Sequence, residues 1–222
     1  MAQAISALIL AGGYSTRMGQ DKALLTLGDK PLLQRICETA LACTPNTFVV
    51  TPWPSRYQAV IPFPAQLLRE TVIETAAHRQ PSPGPLVGFA QGLRQLNQRG
   101  VKADWVLLLA CDLPGLEVAV LRQWQAQLAT LPAAAIAALP RSPKGWEPLC
   151  GFYRRTVLAN LEGAIEQGTR SFQRWLATAS MAPSITPLTA PSSMLVNCNT
   201  PEQWQQVLRQ QALQNFEAPP ET

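Results

Sequence analysis

Two uninterrupted apolar runs stand out along the chain, Ile5–Leu10 and residues 105–109. A run that is apolar at both parities leaves no face for solvent, so each predicts a strand covered on both sides, as at the centre of a parallel sheet. A third strand is expected over 46–50, closed by Pro52 and Pro54. Between the strands the apolar spacing changes to three and four. Leu33, Ile36, Ala40 and Leu41 follow Pro31, a residue tolerated at a helix start. Leu86, Phe89 or Ala90, Leu93 and Leu96 follow Pro83-Gly84-Pro85, and Val118, Leu121, Trp124 and Leu128 follow Glu117. Two later helices are predicted by Val157, Leu158, Leu161 and Ile165, and by Phe172, Trp175, Leu176 and Ala179. Strands are expected over 133–139 and 148–153, bracketing a loop at 141–146, with short ones near 67–72, Ile185–Leu188 and 194–196. Thr200-Pro201-Glu202-Gln203 has the form of a capping box with proline at the first helical position. Strands alternating with helices imply a three-layer α/β sandwich, mostly parallel, with an antiparallel strand within 133–153. No repeat or linker divides it, so residues 1–215 are expected to form one domain and 216–222 a frayed tail.

Composition narrows the function classes. Hydrophobic residues make up 47% of the 222 and charged ones 14%, a globular balance. No apolar run nears the ~20 residues that cross a bilayer. The first residues lack a basic n-region, so no signal peptide and a cytoplasmic location are expected. Five cysteines without a Cys-x-x-Cys pair suit reduced buried thiols better than a zinc site or a disulfide framework. A net charge of +4 suits an anionic ligand but is too mild and scattered for nucleic-acid binding. The single histidine, His78, sits in a polar stretch and reads as a surface residue, and one histidine excludes a metal site built on several.

The chemistry is concentrated after the first strand. Leu10-Ala11-Gly12-Gly13 is followed by Ser15, Thr16, Arg17, Gly19 and Lys22. Glycines let backbone N–H groups approach phosphates, while Arg17 and Lys22 add a planar fork and a point charge. Neither a P-loop nor a dinucleotide fingerprint fits, because the glycine spacing of both is missing. Asp112 ends the 105–109 strand and so shares a sheet edge with Gly12 and Gly13. It is a candidate Mg²⁺ ligand, although Asp before Leu-Pro also suits a turn. Asn197 and Asn199 are candidates for a second metal oxygen, and Asn197 also for a substrate contact, against plain turn chemistry for both. Glu147 and Gly84 are candidate substrate contacts, against an edge residue and a stiff turn. Arg141, Lys144 and Trp146 suit either an anionic aromatic substrate or a solvated hairpin tip. No Ser/His/Asp or Cys/His set can be assembled, which leaves a reaction run by positioning and charge neutralisation, such as phosphoryl-type transfer.

These blocks resemble a known family. Leu10-Ala11-Gly12-Gly13 with Arg17-Met18-Gly19-x-Asp21-Lys22, Pro83-Gly84-Pro85-Leu86-x-Gly88, Cys111-Asp112-Leu113-Pro114, 147–153 and 196–201 follow the order of the nucleotidyltransferases that modify molybdopterin, the molybdenum cofactor guanylyltransferases above all. The resemblance implies a Rossmann-like nucleotidyltransferase fold and transfer of GMP from GTP to the terminal phosphate of Mo-molybdopterin. It implies nucleotide contacts at Leu10, Ala11, Gly12, Gly13, Lys22 and Asp112, catalytic roles for Arg17, Lys22 and Asp112, and Mg²⁺ on Asp112 with Asn199. GTP and Mo-molybdopterin would be substrates, with transient contacts to cofactor-insertion enzymes or molybdoenzymes, and no nucleic acid or membrane. A cytidylyltransferase using CTP on the same pterin and a non-catalytic delivery protein are the alternatives, with a sugar-nucleotide synthase weaker. The chain departs from the family after the strand over 46–50, where Thr51-Pro52-Trp53 replaces an Asn contact. It departs again before Pro83, where Glu70 and Glu74 both stand as candidates for an acidic contact.

Overall fold

Both long apolar runs lie side by side in the middle of an eight-stranded sheet in the computed structural model, which describes residues 3–13, 15, 18–71, 84–178 and 181–217. β1 (Ile5–Leu10) leads through a single-turn 3-10 helix, Lys22–Leu24, and a small hairpin, β2 (Thr26–Leu27) and β3 (Lys30–Pro31), into α1 (Leu32–Leu41). Then come β4 (Thr47–Thr51), α2 (Pro54–Tyr57), β5 (Gln66–Arg69), α3 (Pro85–Gln98) and β6 (Trp105–Ala110). The second half adds α4 (Val118–Gln127), β7 (Ala137–Ser142), β8 (Gly145–Trp146), β9 (Cys150–Arg154), α5 (Val157–Glu166), α6 (Phe172–Leu176), β10 (Ile185–Leu188) and α7 (Pro201–Glu217).

The sheet order is β10-β7-β9-β6-β1-β4-β5, with β8 paired to β7. β9 runs antiparallel to both its neighbours, and the other pairs along this path are parallel. The mostly parallel three-layer architecture is therefore present. Alternate residues of the apolar runs explain why no polar face was needed. Ile5, Ala7 and Ile9 join Trp105, Leu107 and Leu109 in a core with α1 and α4, while Leu8, Val106 and Leu108 face α3, α5 and α6. A third, smaller core holds Trp204 of α7 against Met18, Leu25, Leu27 and Leu32, which ties the C-terminal helix to the segment after β1. The capping box at α7 is formed, since Gln203 N donates to Thr200 Oγ1 (3.3 Å) and Thr200 N to Gln203 Oε1 (3.2 Å).

Some elements differ from their sequence-based expectation. The strand expected over 133–139 starts at Ala137, because a turn closes from Ala135 N to Pro132 O and pairing begins where Ala137 meets Tyr153. It then runs on to Ser142, since Gly145 (φ +114°) lets β8 fold back as a hairpin on Arg141 and Ser142. The loop expected at 141–146 is thus largely paired. Residues 194–196 are no strand: Ser192–Leu195 is a 3-10 turn that buries Met194 in the core, and three apolar residues satisfied that way need no ladder. β5 is shorter than expected at Gln66–Arg69, and α1 starts one residue after Pro31. Ala179 lies outside the described residues.

Gly151 on β9 marks a close approach across the sheet. A Cβ there would stand 2.6 Å from Ala138 O and 2.7 Å from Leu139 Cδ2. Gly151→Ala should cost about 1–3 kcal/mol by overpacking. Urea unfolding would read it as a lowered midpoint at unchanged m-value.

Candidate active site

The chain visits β1, β4 and β5 on one side of the sheet and then crosses back through α3 to lay β6 on the other side of β1. The crevice at the carboxyl ends of β1 and β6 is thus a topological switch point, where open α/β sheets take ligands. Two backbone bonds extend the ladders past the strand ends, Ala11 N to Val50 O (2.9 Å) and Cys111 N to Leu10 O (3.3 Å). They fix the starts of both functional loops. A cavity of about 190 Å³ opens there. Its lining includes Leu10, Ala11, Gly12, Gly13, Lys22, Glu70, Gly84 and Asp112.

Lys22 is the junction of the site. Its ammonium donates to Asp112 Oδ2 and to Asn199 Oδ1, each at 2.7 Å, and the Lys22 and Asp112 side chains are both 15% exposed. Three distant parts of the chain meet here. Cys198 N donates to Asp112 O (3.0 Å), which draws the bend after the last 3-10 turn against the β6 loop. Gln203 Oε1 accepts from Asn199 N (2.7 Å), so the α7 cap also orients Asn199. At the other end, Lys22 N donates to Ser15 Oγ (3.0 Å), and Ser15 takes a left-handed φ of +50° within the glycine loop.

Glu70 forms the far wall. It follows β5, is 5% exposed, and has no charged partner among the described residues, so burial pushes its carboxyl up to about 7. The carboxylate fills space that glycines leave open. A Cβ on Gly12 would stand 2.5 Å from Glu70 Oε2, and one on Gly88 would stand 3.2 Å from Oε1. Gly12 and Gly88, read in sequence as phosphate-loop and helix-start residues, are also the two sides of a carboxylate slot.

Of the other sequence candidates, Glu147 lies in the turn before β9 and Asn197 in the bend before Asn199, and neither lines the cavity. Arg141 stacks over Trp146, its guanidinium carbon 4.7 Å from the ring centroid, in the β7–β8 hairpin. Arg17, Glu74, His78 and Pro83 lie outside the described residues. Burial and then the neighbouring Asp112 push the Cys111 thiol up to about 12, which disfavours the thiolate a nucleophile needs. Sequence reasoning missed Tyr57, whose buried ring lines the cavity, because it sits in a proline-rich stretch with no periodic signal. Among the described residues no three acidic, His or Cys side chains cluster as a metal cage. One carboxylate, Asp112, with one amide oxygen, Asn199, is a donor set suited to Mg²⁺ that completes its shell with phosphate oxygens and water.

Comparison with known proteins places the chain in a family. Residues 7–182 match the MobA-like NTP transferase domain. A probable molybdenum cofactor guanylyltransferase from Nostoc sp. is 50% identical over 198 residues, 89% of this chain and 87% of that protein. One from Synechococcus elongatus is 45% identical over 202 residues, covering 90% and 96%. The crystal structure of molybdopterin-guanine dinucleotide biosynthesis protein A from Archaeoglobus fulgidus superposes with a TM-score of 0.69 at 19% identity, covering 94% of this chain and 99% of that one. The chain belongs to the MobA-like NTP transferase family, and it is a nucleotidyltransferase. No helix among the described residues is long and apolar enough to cross a membrane.

Proposed function

We propose that the protein transfers GMP from GTP to the terminal phosphate of Mo-molybdopterin in the cytoplasm. The observation that carries this reading is the Lys22 ammonium held between Asp112 and Asn199 beside the Gly12-Gly13 loop. An oxygen of the pterin phosphate attacks the α-phosphorus of GTP in line. The bond from that phosphorus to the bridging α–β oxygen breaks, and pyrophosphate leaves. Loop N–H groups and Lys22 offset the charge that grows on the transferring and leaving groups. Asp112, with Asn199, would hold Mg²⁺, which when bound supplies further charge neutralisation on the phosphates.

Above about pH 7, where its carboxyl is ionised, Glu70 supports guanine over cytosine. The Watson–Crick edge of guanine carries two adjacent donors, N1–H and the 2-amino group, and a carboxylate accepts both. Cytosine sets its N4 amino donor beside the N3 acceptor, which would face a carboxylate oxygen unpaired.

The test incubates purified protein with Mo-molybdopterin, Mg²⁺ and GTP, CTP or ATP separately, and measures pyrophosphate and the nucleotide joined to the pterin. Pyrophosphate with GTP alone, and GMP recovered from the pterin, is the expected result. Turnover with CTP would move the protein to the cytidylyl reaction. Nucleotide binding with no turnover would make it a non-catalytic delivery protein.

A further inference from the structure

The residue before Lys22 is gripped from outside the glycine loop. Asp21 Oδ1 accepts from Ala23 N (3.1 Å) and so caps the single-turn helix that starts at Lys22. Its other oxygen, Oδ2, accepts from Tyr57 Oη (2.8 Å) and from Arg56 Nη1 (3.1 Å). Both donors come from α2, the one-turn helix after β4. Arg56 is itself steadied by Trp53, whose ring centroid is 4.5 Å from the guanidinium carbon. Tyr57 is 1% exposed, and burial with the Asp21 carboxylate raises its hydroxyl further, so it stays a donor at neutral pH.

A single turn of 3-10 helix has almost no stability of its own. Its orientation comes from what holds it: Ser15 Oγ at Lys22 N, the burial of Ala23, and at its cap α2. We infer that Tyr57, with Arg56, is a positioning residue for Lys22: through Asp21 it fixes the direction in which the lysine leaves the backbone toward Asp112 and Asn199. The grip makes the connection after β4 part of the catalytic apparatus, although neither side chain is assigned contact with substrate. This inference rests on the transfer reading for its kinetic consequence but not for its geometry.

Tyr57→Phe removes one hydroxyl and keeps the buried ring, so the core around it is undisturbed. Two measurements test the inference. The first needs no substrate: the rate at which acetic anhydride acetylates Lys22, followed by peptide mass spectrometry with exposed Lys102 and Lys144 as internal standards. Lys22 should react about fivefold faster in Tyr57→Phe, since a loosened lysine spends more time away from its two acceptors, while the standards should not change. The second is steady-state kinetics. Turnover should fall about tenfold with KM for GTP changed by no more than about threefold, and in a Lys22→Met background the same substitution should do less than about twofold. A general loss of structure would lower both backgrounds alike. Unchanged Lys22 labelling overturns the inference, as does an equal kinetic loss in both backgrounds. Faster labelling in a protein that makes no pyrophosphate leaves the positioning intact and removes the transfer reading instead.

Discussion

Lys22→Ala and Asp112→Ala should each lower turnover by about a hundredfold or more, the scale of losing one preorganised charge partner at a reacting phosphate. The 2.7 Å contact between the two adds a sharper expectation. Each single substitution also strands its partner: without Lys22, Asp112 Oδ2 and Asn199 Oδ1 lose their shared donor. The double variant Lys22→Ala/Asp112→Ala should therefore be much less damaged than the product of the singles, because groups that act as a unit are not additive. Single-turnover assays with GTP in excess would measure this apart from product release. Near-normal rates in either single variant would remove that residue from the mechanism. Strict additivity would mean that the two act independently, against the meeting of three chain segments at one ammonium.

How much of this was legible beforehand depends on how local each signal is. β1 and β6 were readable because burial on both faces leaves an unbroken apolar run, and the α7 start because its capping box lies within four residues. The loop after β1 was readable for the same reason, since its glycines, Asp21 and Lys22 are contiguous. Asp112 and Asn199 were joined only through the resemblance, as ligands of one Mg²⁺; no local pattern joins them, because their meeting is set by the Cys198–Asp112 backbone bond between distant segments. The strand beginning at Ala137 instead of 133 was set by where β9 pairs, which no local pattern contains.

Glu70 shows the limit most plainly. Spacing could not separate it from Glu74, and only the sheet brings Gly12, Gly88 and Glu70 into one slot. Trp53 and Tyr57 show the converse: α2 is four residues long, too short for periodicity, yet it reaches the key cap.

Glu70→Gln should weaken GTP use while making the fold less sensitive to pH. For the nucleotide, an amide presents only one acceptor where guanine offers two donors, and its NH₂ opposes one of them. The loss expected for one hydrogen bond to a charged group is about 10- to 100-fold in KM for GTP. Inosine triphosphate, which lacks the 2-amino group, discriminates the cause. Wild type should prefer GTP over it, and the variant should lose most of that preference. Stability runs the other way. The folded carboxyl titrates near 7 and an unfolded one near 4.5, so between those values the native state holds more protons than the unfolded chain. Burying Glu70 therefore costs little below pH 4.5, its cost grows as pH rises to 7, and it is constant above. Glutamine does not titrate, so its stability relative to wild type should rise by roughly 2 kcal/mol from pH 5 to pH 8. Urea unfolding at the two pH values measures that difference, and any fixed cost of the buried amide cancels from it. A pH-independent difference would mean that Glu70 is solvated or paired, and would remove the reason to place it against a base. A rise in stability with an unchanged preference for GTP over inosine triphosphate would keep the buried carboxylate but assign guanine recognition elsewhere in the cavity.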